Sequence, residues 1–460
     1  MTPDPPSPVV LRDRTTWHLG ANAPVAVWLA ALLAITLTRH YVAESAWLLV
    51  HLLLLGAVTN AIFVWSSHFA DAMLRRRATA GSRRWQAARI VALNVGVLTA
   101  VAGMVCAQWI LTLAGSVLVG AAAAAHGIAL TLQIRTALAS RFAGTVHYYV
   151  FAAFALPIGA GLGAALARDP VEPWHGRLMA AHLTLNLLGW VGLTVMGTLV
   201  TLWPTMLRTR IAPGAERVAR QALPILVGSV VVAASGALCG LQAVAAAGVA
   251  AYLGAVLWAV RPLAQVARAK APAAYATWSV MAALLWLLGS LPGLLIVLLS
   301  SQTWLLVTDR LGLLVLPLAA GFAAQILLGA LSFLVPVVLG GGPTILRGTQ
   351  ARMDVGNALR VVVVNAGLVA CLLPVPGEVR ALVAALVLAA FAAFLPLLVS
   401  AVLYAVQSKR LALHGARDPA ALRKHVPEAA AITRGRHTRQ AVLGLSLIAL
   451  AVGAGYVLAG

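Results

Sequence analysis

The chain has 460 residues, 62% hydrophobic and only 10% charged, with a mean hydropathy of +0.94; it lacks the polar surface a soluble globule needs. Its formal net charge of +21 invites a nucleic-acid reading. The basic residues, however, lie in short segments flanking apolar runs, which points to membrane lipid as the partner and to no nucleic acid.

Apolar runs long enough to cross a bilayer predict an all-α integral membrane protein of about 12–13 transmembrane helices. In chain order they are Ala23–Thr38, Trp47–His68, Ala88–Gln108, Leu111–Ile134, Val146–Leu166, Leu178–Trp203, Ala222–Leu238, Ala243–Val260, Trp278–Leu299, Leu311–Leu339, Val361–Leu373, Ala381–Val406 and Ala441–Leu458. Met1–Trp17 is polar and proline-rich without an apolar core, so the first span is expected to be uncleaved. With the amino terminus inside, 28 Lys and Arg fall on the cytoplasmic side, Arg75, Arg76, Arg208 and Arg210 among them. Only Arg39, Arg168, Arg177, Arg310 and Arg380 fall outside. This asymmetry obeys the positive-inside rule, places Gly460 outside, and suits a multi-pass protein of a bacterial cytoplasmic membrane. The expected divisions are a cytoplasmic segment 1–22, a twelve-helix membrane domain 23–407, a basic cytoplasmic segment 408–440 and a further spanning helix 441–460. Part of the basic segment has helical periodicity and is expected to lie on anionic lipid.

The second helix is echoed twice, LLLLGAVTNAIFVW from Leu52 matching LNLLGWVGLTVMG from Leu185 and QILLGALSFLVPVV from Gln325. Aligning Gly56, Gly189 and Gly329 gives offsets of 133 and 140 residues. RIVALNVGVL from Arg89 likewise matches RVVVVNAGLV from Arg360, and Cys106, Cys239 and Cys371 recur at spacings of 133 and 132. The expectation is a pseudo-threefold repeat of four-helix units. The cysteines are too scattered for a disulfide scaffold or a CxxC site.

Three four-helix parts resemble the catalytic subunit of the haem-copper oxidases and, more closely, the NnrS-type membrane proteins. HLLLLGAVTNAI, HLTLNLLGWVGLTVMGTLVTLWPTMLRTR and GFAAQILLGALSFLVPVVLGGGPT most closely resemble the membrane part that precedes a cupredoxin module in some actinobacterial copper oxidases or nitrite reductases. That resemblance implies haem b, copper and a redox role. It also implies that the last helix would deliver a copper module to the outer face, a module absent from this chain or encoded separately.

An ionisable side chain within hydrocarbon marks a function by default, and the deep ones here are histidines. His51 and His182 sit at similar depth near the outer ends of equivalent helices and are candidates for both axial ligands of an outer haem b. Gly56 and Gly189 would let the flat ring approach. His126 in the fourth helix, His147 at the start of the fifth and His68 at the end of the second form an inner group able to hold copper or a second haem. His175, on the face of His182, and His40 are further candidates for copper or a haem propionate, against a solvated reading. His18, His414, His425 and His437 lie in polar segments and read as solvated.

The histidines that hold copper in the oxidases have no counterpart in Ala222–Leu238, and Gln325 stands where a haem ligand would be sought. Asp71, Asp169, Glu172, Asp309 and Glu378 fall at interfaces or in loops, so a proton-pumping oxygen reductase is not expected. The GGGPT turn at Gly340–Thr344 lacks GK[ST] and reads as a flexible exit from the tenth helix rather than a phosphate loop. The leading expectation is a membrane electron-transfer protein, an oxidoreductase subunit passing electrons from quinol to an outer cupredoxin or copper nitrite reductase. The alternatives are an NnrS-like haem and copper protein of nitric oxide or nitrite metabolism, and a small-solute permease.

Overall fold

In hydrocarbon the backbone must satisfy its own polar groups, so a chain this apolar is confined to helices or closed barrels. The structure, a computed structural model that describes residues 8–76, 78–137, 142–413 and 434–459, is helical throughout, with no strand among the described residues. Thirteen helices among them are long and apolar enough to cross a membrane. They are α1 (Thr16–Tyr41), α2 (Ser45–Met73), α3 (Ala80–Val105), α4 (Trp109–Arg135), α5 (Ala143–Leu166), α6 (Trp174–Met206), α7 (Ala215–Leu238), α8 (Gln242–Ala269), α9 (Tyr275–Ser300), α10 (Trp304–Leu339), α11 (Gly342–Leu372), α12 (Gly377–Ala412) and α13 (Gly435–Ala459). Each expected span is present, and the set fits a multi-pass membrane protein.

The largest difference from the sequence reading is at α11. Its first half, Gly342–Met353, is too polar to register as a span, yet it is helical; Gly340, Gly341 and Gly342 all take positive φ to turn the chain into it. GGGPT is thus a tight connection between two helices, and Lys409 donates to the Leu339 carbonyl there. A break at Gly356, φ +62, separates this half from Asn357–Leu372. Most of the basic segment expected to lie on lipid, residues 414–433, is outside the described residues.

Packing divides the chain into two units, Ala21–Ala271 with Leu285–Ala319, and a second made of the chain up to Gly20, Pro272–Leu284 and the chain from Ala320. Within the first, α3 packs along α4, α4 along α5, α5 along α6, and α7 along α8. Within the second, α11, α12 and α13 pack mutually. The last helix is therefore packed against its neighbours, although its apolar window, 17% buried, is the most exposed of the thirteen. Gly444 of α13 faces Val362, where a Cβ would come within 3.1 Å of its side chain, and Gly455 lies against Val379. At the foot of α13, Asn357 Nδ2 meets His437 Nε2 at 3.1 Å and Gln440 Oε1 accepts from the Ala358 N–H at 3.2 Å. His437, expected to be solvated, also sets its ring edge-on to Trp278, with centroids 4.9 Å apart.

Helices α2, α6 and α10 stand apart from the rest. Their most apolar windows are 67%, 83% and 72% buried, whereas the other ten range from 17% to 50%. Each of the three also contains a π-helical segment, Leu52–Val58, Thr184–Gly192 and Pro317–Ala324, beginning 132 and 133 residues apart.

Two reciprocal amide pairs brace helices at matching places. Asn94 Nδ2 donates to Asn60 Oδ1 at 2.8 Å, Asn60 Nδ2 returns a bond at 3.2 Å, and the two also donate to the Ile90 and Gly56 carbonyls. Gln325 and Asn365 exchange bonds at 3.0 Å in each direction and donate to the Gly321 and Val361 carbonyls. Asn94 additionally accepts from Trp28 Nε1 at 2.7 Å. N94L and N365L should therefore each cost about 1–3 kcal/mol, by leaving buried donors unmatched. Thermal unfolding of the detergent-solubilised protein reads both, and an N94L midpoint equal to wild type would contradict the bracing role.

Candidate functional site

His51 lies at the end of the first α-helical stretch of α2, immediately before its π segment, and His182 lies two residues before the π segment of α6. At a rise of about 1.5 Å per residue, both stand roughly 10 Å in from the start of their helices. The structure brings them together: the ring centroids are 6.3 Å apart, with the planes inclined by 39°. Both rings are half-buried.

Their hydrogen bonds define which nitrogens remain. His51 Nδ1 meets the Trp47 carbonyl at 2.8 Å, one helical turn back, and its ring stacks on the Trp47 indole at 3.9 Å. His182 Nδ1 meets the Gly159 carbonyl of α5 at 2.9 Å. A carbonyl only accepts, so each Nδ1 carries the proton and each Nε2 presents a lone pair. No hydrogen bond among the described residues engages either Nε2. The Asn186 amide lies one turn along α6 from His182, 3.2 Å from the same Nδ1. Facing a protonated Nδ1, the amide end that matches is Oδ1, and a half-turn of the amide exchanges the two ends.

Two imidazoles that bind one metal through Nε2, at about 2 Å each, have ring centroids roughly 6 Å apart. The separation of the two rings is of that order. Carbonyl-anchored Nδ1–H groups are also the usual support for metal-binding histidines, because they fix the ring and raise its basicity.

The glycines serve differently from the expectation. A Cβ on Gly56 would strike the Trp28 ring at 2.9 Å, and one on Gly189 would press Ala155 at 3.0 Å, so both make room for side chains of neighbouring helices. The glycine against the histidine pair is Gly163 of α5, whose Cβ would come within 2.8 Å of His182 Cε1. Trp47, Gly159, Gly163 and Asn186 are thus site residues that histidine spacing alone passes over. The i to i+4 spacing of His182 and Asn186 and the small-residue run PIGAGLG of α5 are the signals that carried them.

The inner group does not assemble. Among the described residues no three His, Cys, Asp or Glu side chains come together as a metal-sized group, so His68, His126 and His147 form no three-imidazole copper centre. His126 is fully buried, stacked on Phe63 at 4.6 Å, with Nε2 2.8 Å from Ser66 Oγ. Ser66 spends its proton on the Ile62 carbonyl at 2.6 Å, so His126 donates Nε2–H to Oγ and keeps a bare Nδ1, which has no partner. His68 sets its ring edges against Trp65 and Phe69, and His147 is half-buried at the start of α5. His175 lies 3.5 Å from the Asp169 carboxylate and His40 is exposed. Of the remaining histidines, His18 is buried rather than solvated, and His414 and His425 lie outside the described residues.

Gln325 and Asp354 also find definite roles. Gln325 is the amide partner of Asn365. Asp354, at the break in α11, accepts from the Tyr275 N–H at 2.5 Å and from Asn357 at 3.0 Å. Close by, the Arg360 guanidinium lies 3.6 Å over the Tyr275 ring and donates to the Met353 carbonyl.

No protein-family profile and no curated protein matches this chain. The reading of the site therefore rests on its own geometry. S66A removes the partner of His126 Nε2, leaving both ring nitrogens unmet at full burial among the described residues. The expected loss is about 1–3 kcal/mol, read as a lowered thermal midpoint; an unchanged midpoint would contradict the Ser66–His126 bond.

Proposed function

We propose that this chain is a haem b-binding membrane electron-transfer protein whose haem iron is held between His51 and His182. The observation that carries the proposal is the 6.3 Å separation of two rings whose Nδ1 groups are already committed to carbonyls. The bound haem supplies one-electron redox chemistry. The chain's own part is to fix two tautomers through Trp47 and Gly159, to stack His51 on an indole, and to surround the pair with apolar helices that keep water away. By the positive-inside rule the pair lies nearer the outer face. There it is suited to accept electrons from quinol and hand them to a copper protein outside. Copper within this chain forms no part of the proposal.

A threefold internal repeat belongs to the same reading. It is supported by the burial of α2, α6 and α10, by their π segments at spacings of 132 and 133, and by the two matching amide pairs. The bonds of Asn60 to Gly56 and of Gln325 to Gly321 favour Gly321, rather than Gly329, as the counterpart of Gly56. On that register Leu316 of the third unit stands at the position of His51.

Full-length protein purified from haem-replete cells should be red, with the reduced-minus-oxidised spectrum of a low-spin b haem. H51A and H182A should each lose it while H126A retains it; a colourless wild type, or a spectrum kept in both outer variants, overturns the proposal. G163A should push the His182 ring aside and lower haem content at least severalfold while the protein stays folded. Unchanged content would remove Gly163 from the site.

A further inference from the structure

We propose that a cleft on the arginine-rich face of the membrane domain is a binding site for the phosphate of an anionic phospholipid headgroup. The cleft, of about 560 Å³, opens between the start of α5 and the first two turns of α7, and is lined by Gly144, Thr145, Gly214, Glu216, Arg217 and Arg220. Arg217 and Arg220 are exposed and three residues apart on one helix, so their guanidinium groups share a face. Glu216 is the one carboxylate on the lining and is partly buried. A Cβ added at Gly144 or Gly214 would meet nothing within 4 Å, so the walls are open at both.

Beside the cleft the protein is apolar: Ala219 lines it and also a small separate chamber walled by Met196, Val200, Leu263 and the Tyr148 ring. The Tyr148 hydroxyl donates to the Ala219 carbonyl at 2.6 Å. The two arginines therefore stand at the start of a spanning helix, the level at which a lipid headgroup sits. Arginine pairs bidentately with phosphate, and basic pockets between spanning helices on the positive face are where anionic headgroups bind. Free inorganic phosphate shares the headgroup's chemistry, and the position of the cleft at the ends of two spanning helices favours the lipid as occupant.

The test uses the full chain in detergent after delipidation, titrated separately with phosphatidylglycerol, phosphatidylcholine and inorganic phosphate. Bound lipid is read by native mass spectrometry and stabilisation by thermal midpoint, since a ligand that binds only the folded state raises it. Phosphatidylglycerol should be retained and should stabilise the protein where phosphatidylcholine does not. R217Q/R220Q should retain at least fivefold less, and R220Q alone an intermediate amount. R268Q/K270Q, which removes two exposed charges outside the cleft, should match wild type, and E216Q should retain as much or more. Equal retention by wild type and R217Q/R220Q, or an equal loss in R268Q/K270Q, overturns the site. Should inorganic phosphate alone reproduce the Arg217- and Arg220-dependent stabilisation, the lipid is overturned as occupant.

Discussion

A polar group placed in hydrocarbon without a partner costs several kcal/mol, and most of the interior of this protein is an answer to that constraint. Threonines and serines of the spans turn back on carbonyls of their own helix, as Thr184, Thr194 and Ser332 do. Trp190 donates across to Thr59 at 3.0 Å and Tyr252 to the Leu188 carbonyl at 3.0 Å. The amides pair with each other. Against this pattern three histidines are half finished among the described residues: His51 and His182 each hold a carbonyl through Nδ1 and His126 donates to Ser66, while the second nitrogen of each meets no partner. What separates the outer two from His126 is that their rings lie side by side, 6.3 Å apart.

The π segments bear on how such a pair is positioned. A π turn widens the helix by one residue and shifts every later side chain around the axis. In α2 and α6 it begins one and two residues past the histidine, so the ring is presented by a regular helix while the residues beyond it are re-aimed. Asn60 follows the first segment and Leu193 the second. Central helices must satisfy neighbours on all sides, and a local change of pitch lets one helix meet two different sets of them.

The spans were plain in the sequence, because an apolar run of bilayer length has almost no other stable form. The shared depth of His51 and His182 was equally readable, since a histidine's distance from the helix start is simple counting. Tautomers and ring contacts were not, because they depend on which carbonyl of α5 lies opposite α6. Gly56 and Gly189 were assigned to a ligand when their small size serves Trp28 and Ala155; a glycine in a sequence states that something approaches closely but not what. The polar half of α11 has the hydropathy of a loop and is helical where it packs against α12. The π segments leave no compositional trace, as LLLLGAV and TLNLLGWVG are ordinary helix sequences.

The docking of α13 has a consequence for the integrity of the chain. With glycines fitted against Val362 and Val379 and a polar staple through Asn357, His437 and Gln440 at its foot, this helix is held by surface complementarity. Helix α13 is thus joined to the rest of its unit by packing as well as by the chain, so a cut between α12 and α13 should leave the two pieces associated when they are co-expressed.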